Sequence, residues 1–278
     1  MSLDVNGQWV MITGAAGGIG SAMALDMADR GANLVLTDLV VETMQAVAGE
    51  ARSRGAEVIC LAHDVSLRER WVEIADELDS QGRLPRVLIN NAGVAAAGTA
   101  MDLSEESWKK VIDIDLWGVI YGCRVFVPRM LASGWPGAVM NVASASAYVG
   151  LPFCAPYFVA KAGVLRLTQS LQSEIDPKRV SFTCLCPGPV GTGIGLSAAR
   201  LGAGSEEDLD TLVAWLAPKG RTPDQVAKKA VRGVLNGRAV VNVYSEAYLL
   251  DLVARVLPHQ LLARVNRRYF MYKFPELA

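Results

Sequence analysis

The chain has 278 residues, of which 51% are hydrophobic and 20% charged, with a formal charge of −1 at neutral pH. That balance excludes the charge-driven classes: nothing in it attracts nucleic acid or favours an acidic substrate. Five cysteines without Cys-x-x-Cys spacing, and only two histidines, His63 and His259, point to reduced thiols and away from a histidine-rich metal site.

Short β-rich runs alternate with helical patterns almost to the end. This predicts an α/β fold, a single domain over 1–278 with a Rossmann-type doubly wound parallel sheet of about seven strands. Trp9–Ile12 opens the series as an apolar run with the length of a strand buried on both faces. It breaks into Thr13-Gly14-Ala15-Ala16-Gly17-Gly18-Ile19-Gly20, and a helical pattern begins at Ser21. A strand that stops at glycines and restarts as a helix leaves backbone N–H groups free at the positive end of the helix dipole. Such a turn cradles phosphate, and a Cβ would keep the phosphate away.

Further strands are expected near Asn33–Thr37, Glu57–Leu61, Arg86–Ile89, Ala138–Val142, Val180–Cys184 and Ala239–Val243. Helices are expected over Ser21–Arg30, Val41–Arg54, Leu67–Ser80, Ser104–Leu131, Pro156–Ile175, Pro223–Leu235 and Ala247–Leu257, the last opening a helical C-terminal extension from about residue 246. The strands run out into Thr13, Asp38, Asp64, Asn90 with Asn91, Ser144, and Pro187 with Gly188. In a parallel sheet these carboxyl ends share one edge, where ligands bind at the switch in strand order. Asp38 follows Gly20 by 18 residues, where a carboxylate accepts hydrogen bonds from an adenosine ribose.

Tyr157 and Lys161 stand four residues apart, one turn of a helix that Pro156 is placed to start. A free phenol titrates near ~10 and is a poor base at neutral pH, whereas a fixed cation beside it favours the phenolate. Ser144 precedes Tyr157 by 13 residues at a strand end, where its hydroxyl can hold an oxygen that gains or loses charge. Ser146 is the rival at a poorer spacing.

The Thr-Gly-x-x-x-Gly-x-Gly loop with Gly14, Gly18 and Gly20, the Asn90-Asn91-Ala92-Gly93 tetrapeptide, Ser144, Tyr157-x-x-x-Lys161 and Pro187-Gly188-Pro189-Val190-Gly191-Thr192 come in one order. Over about residues 5–245 the chain resembles the classical short-chain dehydrogenases/reductases. The resemblance implies an NAD-dependent oxidoreductase acting on a secondary alcohol or ketone, with Tyr157 as acid/base, Lys161 as its tuner and ribose ligand, and Ser144 as oxygen holder. It implies cofactor contacts from Gly14, Ala16, Gly17, Gly18, Ile19, Gly20, Asp38 and Leu39. Asp64 and Val65 would meet adenine, Asn91, Ala92 and Gly93 would shape the turn beside the cofactor, and in the cofactor-binding turn that Pro187 and Gly188 open, Val190 and Thr192 would hold the carboxamide.

One position departs from the pattern: Asp115 stands where the family usually has asparagine. That residue's main-chain carbonyl is expected to hold a water that links the lysine to solvent, in which case aspartate substitutes freely. The other reading is that its carboxylate alters the proton chain at Lys161.

Two rival classes use fewer of these residues. A methyltransferase on a similar sheet leaves Ser144, Tyr157 and Lys161 idle, and a dinucleotide-sensing protein discards the chemistry. Ala95, Ala96, Ala145, Val149, Leu151, Phe153 and Pro189 fall beside the inferred site and suggest a lipophilic substrate, with 193–220 as a lid bearing Leu212 and Trp215. The tail alternates Arg264, Arg267, Arg268 and Lys273 with aromatic residues and is expected to pack on the subunit or its neighbour, the rival reading being a basic amphipathic segment resting on a membrane surface. No signal-like N-terminus and no apolar run of ~18 residues occur, so a cytoplasmic protein without membrane contact is expected. The resemblance further implies a homodimer or homotetramer built on the helices at 104–131 and 156–175.

Overall fold

The computed structural model describes residues 2–191, 194–202 and 222–273. Among these residues seven strands form: β1 (Trp9–Thr13), β2 (Asn33–Asp38), β3 (Val58–Ala62), β4 (Val87–Asn90), β5 (Gly137–Val142), β6 (Val180–Pro187) and β7 (Val240–Val243). They pair in parallel in the order β3-β2-β1-β4-β5-β6-β7. The order reverses between β1, which leads outward through β2 and β3, and β4, which leads the other way. The carboxyl ends of β1 and β4 therefore diverge into a crevice, the general ligand position of such sheets.

Helices cover both faces. On one side α1 (Gly18–Ala28), α2 (Gln45–Ser53) and α8 (Pro223–Leu235) bury Met23, Met27, Val47, Val226 and Val231 against Val10, Ile12 and Leu36 of the sheet. On the other, α3 (Arg68–Ser80), α5 (Gly118–Ser133) and α6 (Ala155–Glu174) bury Trp71, Phe126 and Val164 against Met11, Leu88 and Val139. Neighbouring residues of one strand thus enter different cores, which is why the strands read as unbroken apolar runs. Two further helices, α9 (Ser245–Val256) and α10 (His259–Lys273), follow β7.

Two expected helices differ in detail. The helix expected at Ser104–Leu131 is three segments: α4 (Glu105–Ile112), a π-helical stretch at Asp113–Trp117, and α5. Apolar periodicity does not reveal a wider turn. The helix expected from Val41 begins with a 3₁₀ turn, Val41–Met44, before α2. A short helix, α7 (Ile194–Arg200), lies inside the stretch taken for a lid, and α10 extends the tail beyond Leu257.

Phe126 has no exposed surface and meets Trp71 edge-on, with ring centroids 6.1 Å apart. Phe126→Ala is expected to lower stability by about 3–5 kcal/mol, the sum of lost apolar burial and the void it leaves. Urea unfolding checks this, and a loss below about 1 kcal/mol would show that the α3–α5 layer collapses to fill the space.

Candidate active site

The glycine turn between β1 and α1 is held from below. Thr13 Oγ1 accepts hydrogen bonds from the main-chain N–H groups of Asn91 and Ala92, each at 3.0 Å. The Asn91 side-chain amide donates to the carbonyls of Thr13 (2.9 Å) and Gly14 (3.0 Å). This approach is possible only without side chains. A Cβ on Gly14, whose φ is +63°, would stand 2.8 Å from Ala92 Cα, and one on Gly20 would stand 2.2 Å from the Gly14 carbonyl oxygen.

Gly17 differs, because a Cβ there would meet nothing within 4 Å. It is the N-cap of α1, no side chain caps that end, and the first turn carries no acid. Free N–H groups facing open space at a helix start fit an anionic group such as a pyrophosphate.

Asp38 closes the turn from the β2 side. Its Oδ2 accepts from the Ala16 N–H at 2.9 Å and its Oδ1 from the Leu39 N–H at 2.8 Å. The next helical turn has Val40 at its N-cap, so Asp38 is not the cap of that turn. At the end of β3, Asp64 Oδ1 accepts from the N–H (2.9 Å) and hydroxyl (2.6 Å) of Ser66. His63 is buried beneath, its Nδ1 3.2 Å from Thr37 Oγ1 and its ring edge-on to Trp71. Burial, helped by the Arg70 charge, lowers its pKa to about 4, with Asp64 opposing.

Tyr157 and Lys161 lie one turn apart on α6, with the ammonium 5.5 Å from the phenol ring centre. Lys161 is 3% exposed and donates to the Val142 carbonyl at the end of β5 (3.0 Å). Its second partner is the Asp115 carboxylate, fully buried, with Oδ2 at 3.0 Å. Asp115 Oδ1 accepts from the Val94 N–H at 2.8 Å. Of the two readings of Asp115, the contact seen is that of the carboxylate, because the π-helical turn carries the side chain inward onto the lysine.

These charges bias one another. Burial acts to lower the Lys161 ammonium, but Asp115 and Tyr157 outweigh it and the ammonium is held above its ordinary range. Burial raises the Asp115 carboxyl, with Lys161 and the Val94 N–H opposing. Burial also raises the Tyr157 phenol; Lys161 pulls it down, Asp115 pushes it up, and a hydrogen bond with Ser144 pulls it down. The lowered phenol expected from Tyr-x-x-x-Lys alone is thus offset by burial and by the carboxylate. Ser144 Oγ also accepts from the Ser146 N–H at 3.2 Å, while the buried Ser146 hydroxyl has no partner among the described residues.

All of this borders one cavity of about 760 Å³. Gly14, Gly17, Gly18, Ile19, Asp38, Leu39, Asp64, Val65, Asn91, Ala92, Gly93, Ser144, Tyr157, Lys161, Pro187, Gly188 and Val190 line it. Ala16, Gly20 and Asp115 stand behind this wall as supports. Thr192, Leu212 and Trp215 lie outside the described residues.

Of the apolar residues expected at the substrate end, Ala95, Ala145, Leu151 and Pro189 line the cavity. Ala96, Val149 and Phe153 do not, and are buried in packing instead. Sequence reasoning missed Glu246, Leu249 and Leu250 of α9 and Asn266 of α10, which close one side. Asn266 reaches the Gly150 carbonyl at 3.0 Å. No motif marks them, since their place depends on how the tail folds back.

The short chain dehydrogenase family matches residues 8–200. The chain is 32% identical over 264 residues to "Probable oxidoreductase EphD" of Mycobacterium tuberculosis, covering 93% of this chain and 45% of that protein. It therefore spans about half the length of that relative. A short chain dehydrogenase/reductase from Burkholderia phymatum in complex with NAD superposes with a TM-score of 0.82, at 27% identity over 91% of this chain and 94% of that one. An alcohol dehydrogenase from the archaeon Thermococcus sibiricus complexed with 5-hydroxy-NADP gives 0.70, at 27% identity over 85% and 94%.

His63 supplies a stability test independent of chemistry. Its folded pKa of about 4 lies below the ordinary 6.5, so the unfolded chain binds the extra proton first. Stability is fully present above about pH 6.5 and falls as pH drops toward 4, by up to about 3 kcal/mol. His63→Gln is expected to remove that portion of the acid dependence. Parallel stability–pH curves for the two proteins would show that the imidazole charges without cost.

Proposed function

The chain belongs to the short-chain dehydrogenase family, and we propose that it is an NAD-dependent oxidoreductase moving hydride between nicotinamide and a secondary alcohol or ketone. The observation that carries this reading is the convergence of Ser144, Tyr157 and Lys161 on the cavity whose other end is the uncapped glycine turn. When bound, NAD supplies the hydride acceptor, or as NADH the donor. The α1 N-terminus would hold the pyrophosphate, Asp38 the adenosine ribose, and Asp64 with Val65 the adenine. Thr192 would join Val190 at the carboxamide.

The chain's own part is proton transfer and exclusion of water. Tyr157 gives or takes the proton at its phenol oxygen, and Ser144 holds the reacting oxygen by a hydrogen bond that strengthens as charge develops there. Lys161 stabilises the phenolate. Val94, Ala95, Leu151, Phe158, Ile194 and Leu249 give the substrate end apolar walls, which supports a lipophilic substrate.

Cofactor choice rests on Asp38, because both NAD and 5-hydroxy-NADP occur among the similar structures. NADP carries a phosphate at the ribose 2′ oxygen, and two like charges ~4 Å apart repel by ~4 kcal/mol at an effective dielectric of ~20. Ala15, Ala16, Gly17 and Leu39 offer no compensating cation. NAD is expected to exceed NADP by about two orders of magnitude in kcat/KM, or about 2.7 kcal/mol. Asp38→Ala with Leu39→Arg should shrink the preference, and equal use of both cofactors by the unmodified protein would place Asp38 away from the ribose.

The acid itself has a direct test. Tyr157→Phe keeps the ring and removes the hydroxyl, so turnover with a lipophilic secondary alcohol should collapse while NAD binding persists. A tenth of the original turnover surviving would mean another group moves the proton.

A further inference from the structure

The buried pair of Asp115 and Lys161 is a departure with a consequence for charge. An asparagine at 115 would leave the Lys161 ammonium as one uncompensated positive charge beside the phenol. The aspartate makes the pair neutral overall, so the site is one unit more negative than it would be with asparagine at 115.

The surroundings are built to hold this pair closed. The π-helical turn at Asp113–Trp117 puts Asp115 on the inner side, as such widened turns often do at functional sites. Gly163 on α6 lets Leu116 approach, since a Cβ there would stand 2.9 Å from Leu116 Cδ1. Gly93 lies under the pair, and a Cβ on it would stand 2.9 Å from Asp115 Oδ2 and 3.3 Å from Lys161 Nζ. One carboxylate oxygen takes the Val94 N–H and the other faces the ammonium. Two close approaches and a widened turn thus converge on one ion pair.

We propose that Asp115 is a positioning residue whose carboxylate masks the charge of Lys161, thereby setting the pH window of proton transfer and tilting the site toward the oxidised, cationic nicotinamide. The inference rests on the proposed role of Tyr157. The charged and titratable groups around the phenol are Lys161 on its own helix, Asp115 from the π-helical turn, Ser144 after β5 and Cys154 before α6, with Cys184 of β6 behind Lys161. Asp115 is the carboxylate among them, paired with Lys161 at 3.0 Å, and it acts against the phenolate while Lys161 acts for it. A less negative site would release the phenolic proton at lower pH. Negative charge also favours oxidised nicotinamide, which carries a positive charge, over the neutral reduced ring.

The test is Asp115→Asn, which keeps an oxygen for the Val94 N–H and removes only charge. Alcohol oxidation measured from about pH 6 to 10 should rise along a limb displaced downward by about one pH unit relative to the unmodified protein. Binding of NAD⁺ by calorimetry and of NADH by fluorescence, without substrate, should show the NAD⁺ to NADH affinity ratio reduced about threefold to tenfold. Asp115→Ala, which also loses the Val94 acceptor, should share both shifts and be less stable. If Asp115→Asn folds and neither the limb nor the ratio moves, Asp115 is only a structural support and the proposal falls. If Asp115→Asn is inactive, the binding ratio decides alone, since it needs no turnover. Substantial turnover in Tyr157→Phe would sink the proposed chemistry instead, a failure visible separately from the binding ratio.

Discussion

An ammonium that is 3% exposed must be paired, and the architecture around the cavity follows from that requirement. Lys161 is carried by α6, yet its partners come from the end of β5 and from the π-helical turn. None of the three elements can move alone without leaving a buried charge or carbonyl unsatisfied. The glycines at 93 and 163 belong to the same constraint, because each removes a Cβ that would separate the groups. Breaking a buried pair by deleting one member is costly, whereas an isosteric neutral partner retains shape and part of the hydrogen bonding.

A second polar network ties this centre to the sheet. Asn90 at the end of β4 donates to Asn141 of β5 at 2.8 Å, and Asn141 donates to Thr168 of α6 at 3.1 Å. Thr168 returns its hydroxyl to the Val164 carbonyl at 2.7 Å. Asn91, one residue on, clamps the glycine turn. The two adjacent asparagines thus face opposite tasks, one holding α6 to the strands and the other holding the phosphate-type cradle. Hydrogen-bonded side chains in a low dielectric give such links rigidity beyond their count, although the buried Asn90 Oδ1 takes no partner among the described residues.

The tail adds a different kind of wall. α9 and α10 contribute Leu249, Leu250 and Asn266 to the cavity, while Leu252, Val256, Leu261 and Val265 remain exposed. On their other side Asn266 of α10 donates to the Gly150 carbonyl, a polar contact between the tail and the loop after β5. Among the described residues no helix is long and apolar enough to cross a membrane.

The sequence by itself determined the seven strands, their parallel winding and the residues at their carboxyl ends. Those features are local: an apolar run, a glycine turn and an i,i+4 pair are set by neighbours in the chain. It also marked Asp115 as unusual without saying which of its groups acts. The tertiary structure adds that its carboxylate lies 3.0 Å from the Lys161 ammonium. The π-helical turn, the close approach at Gly163 and the fold-back of α10 onto Gly150 each join residues far apart in the chain. Periodicity carries no trace of such contacts, because an ordinary helical pattern and a widened one bury nearly the same residues. The direction of the phenol's shift likewise depends on burial and on a carboxylate 42 positions away in the chain, and so belongs to the folded state alone.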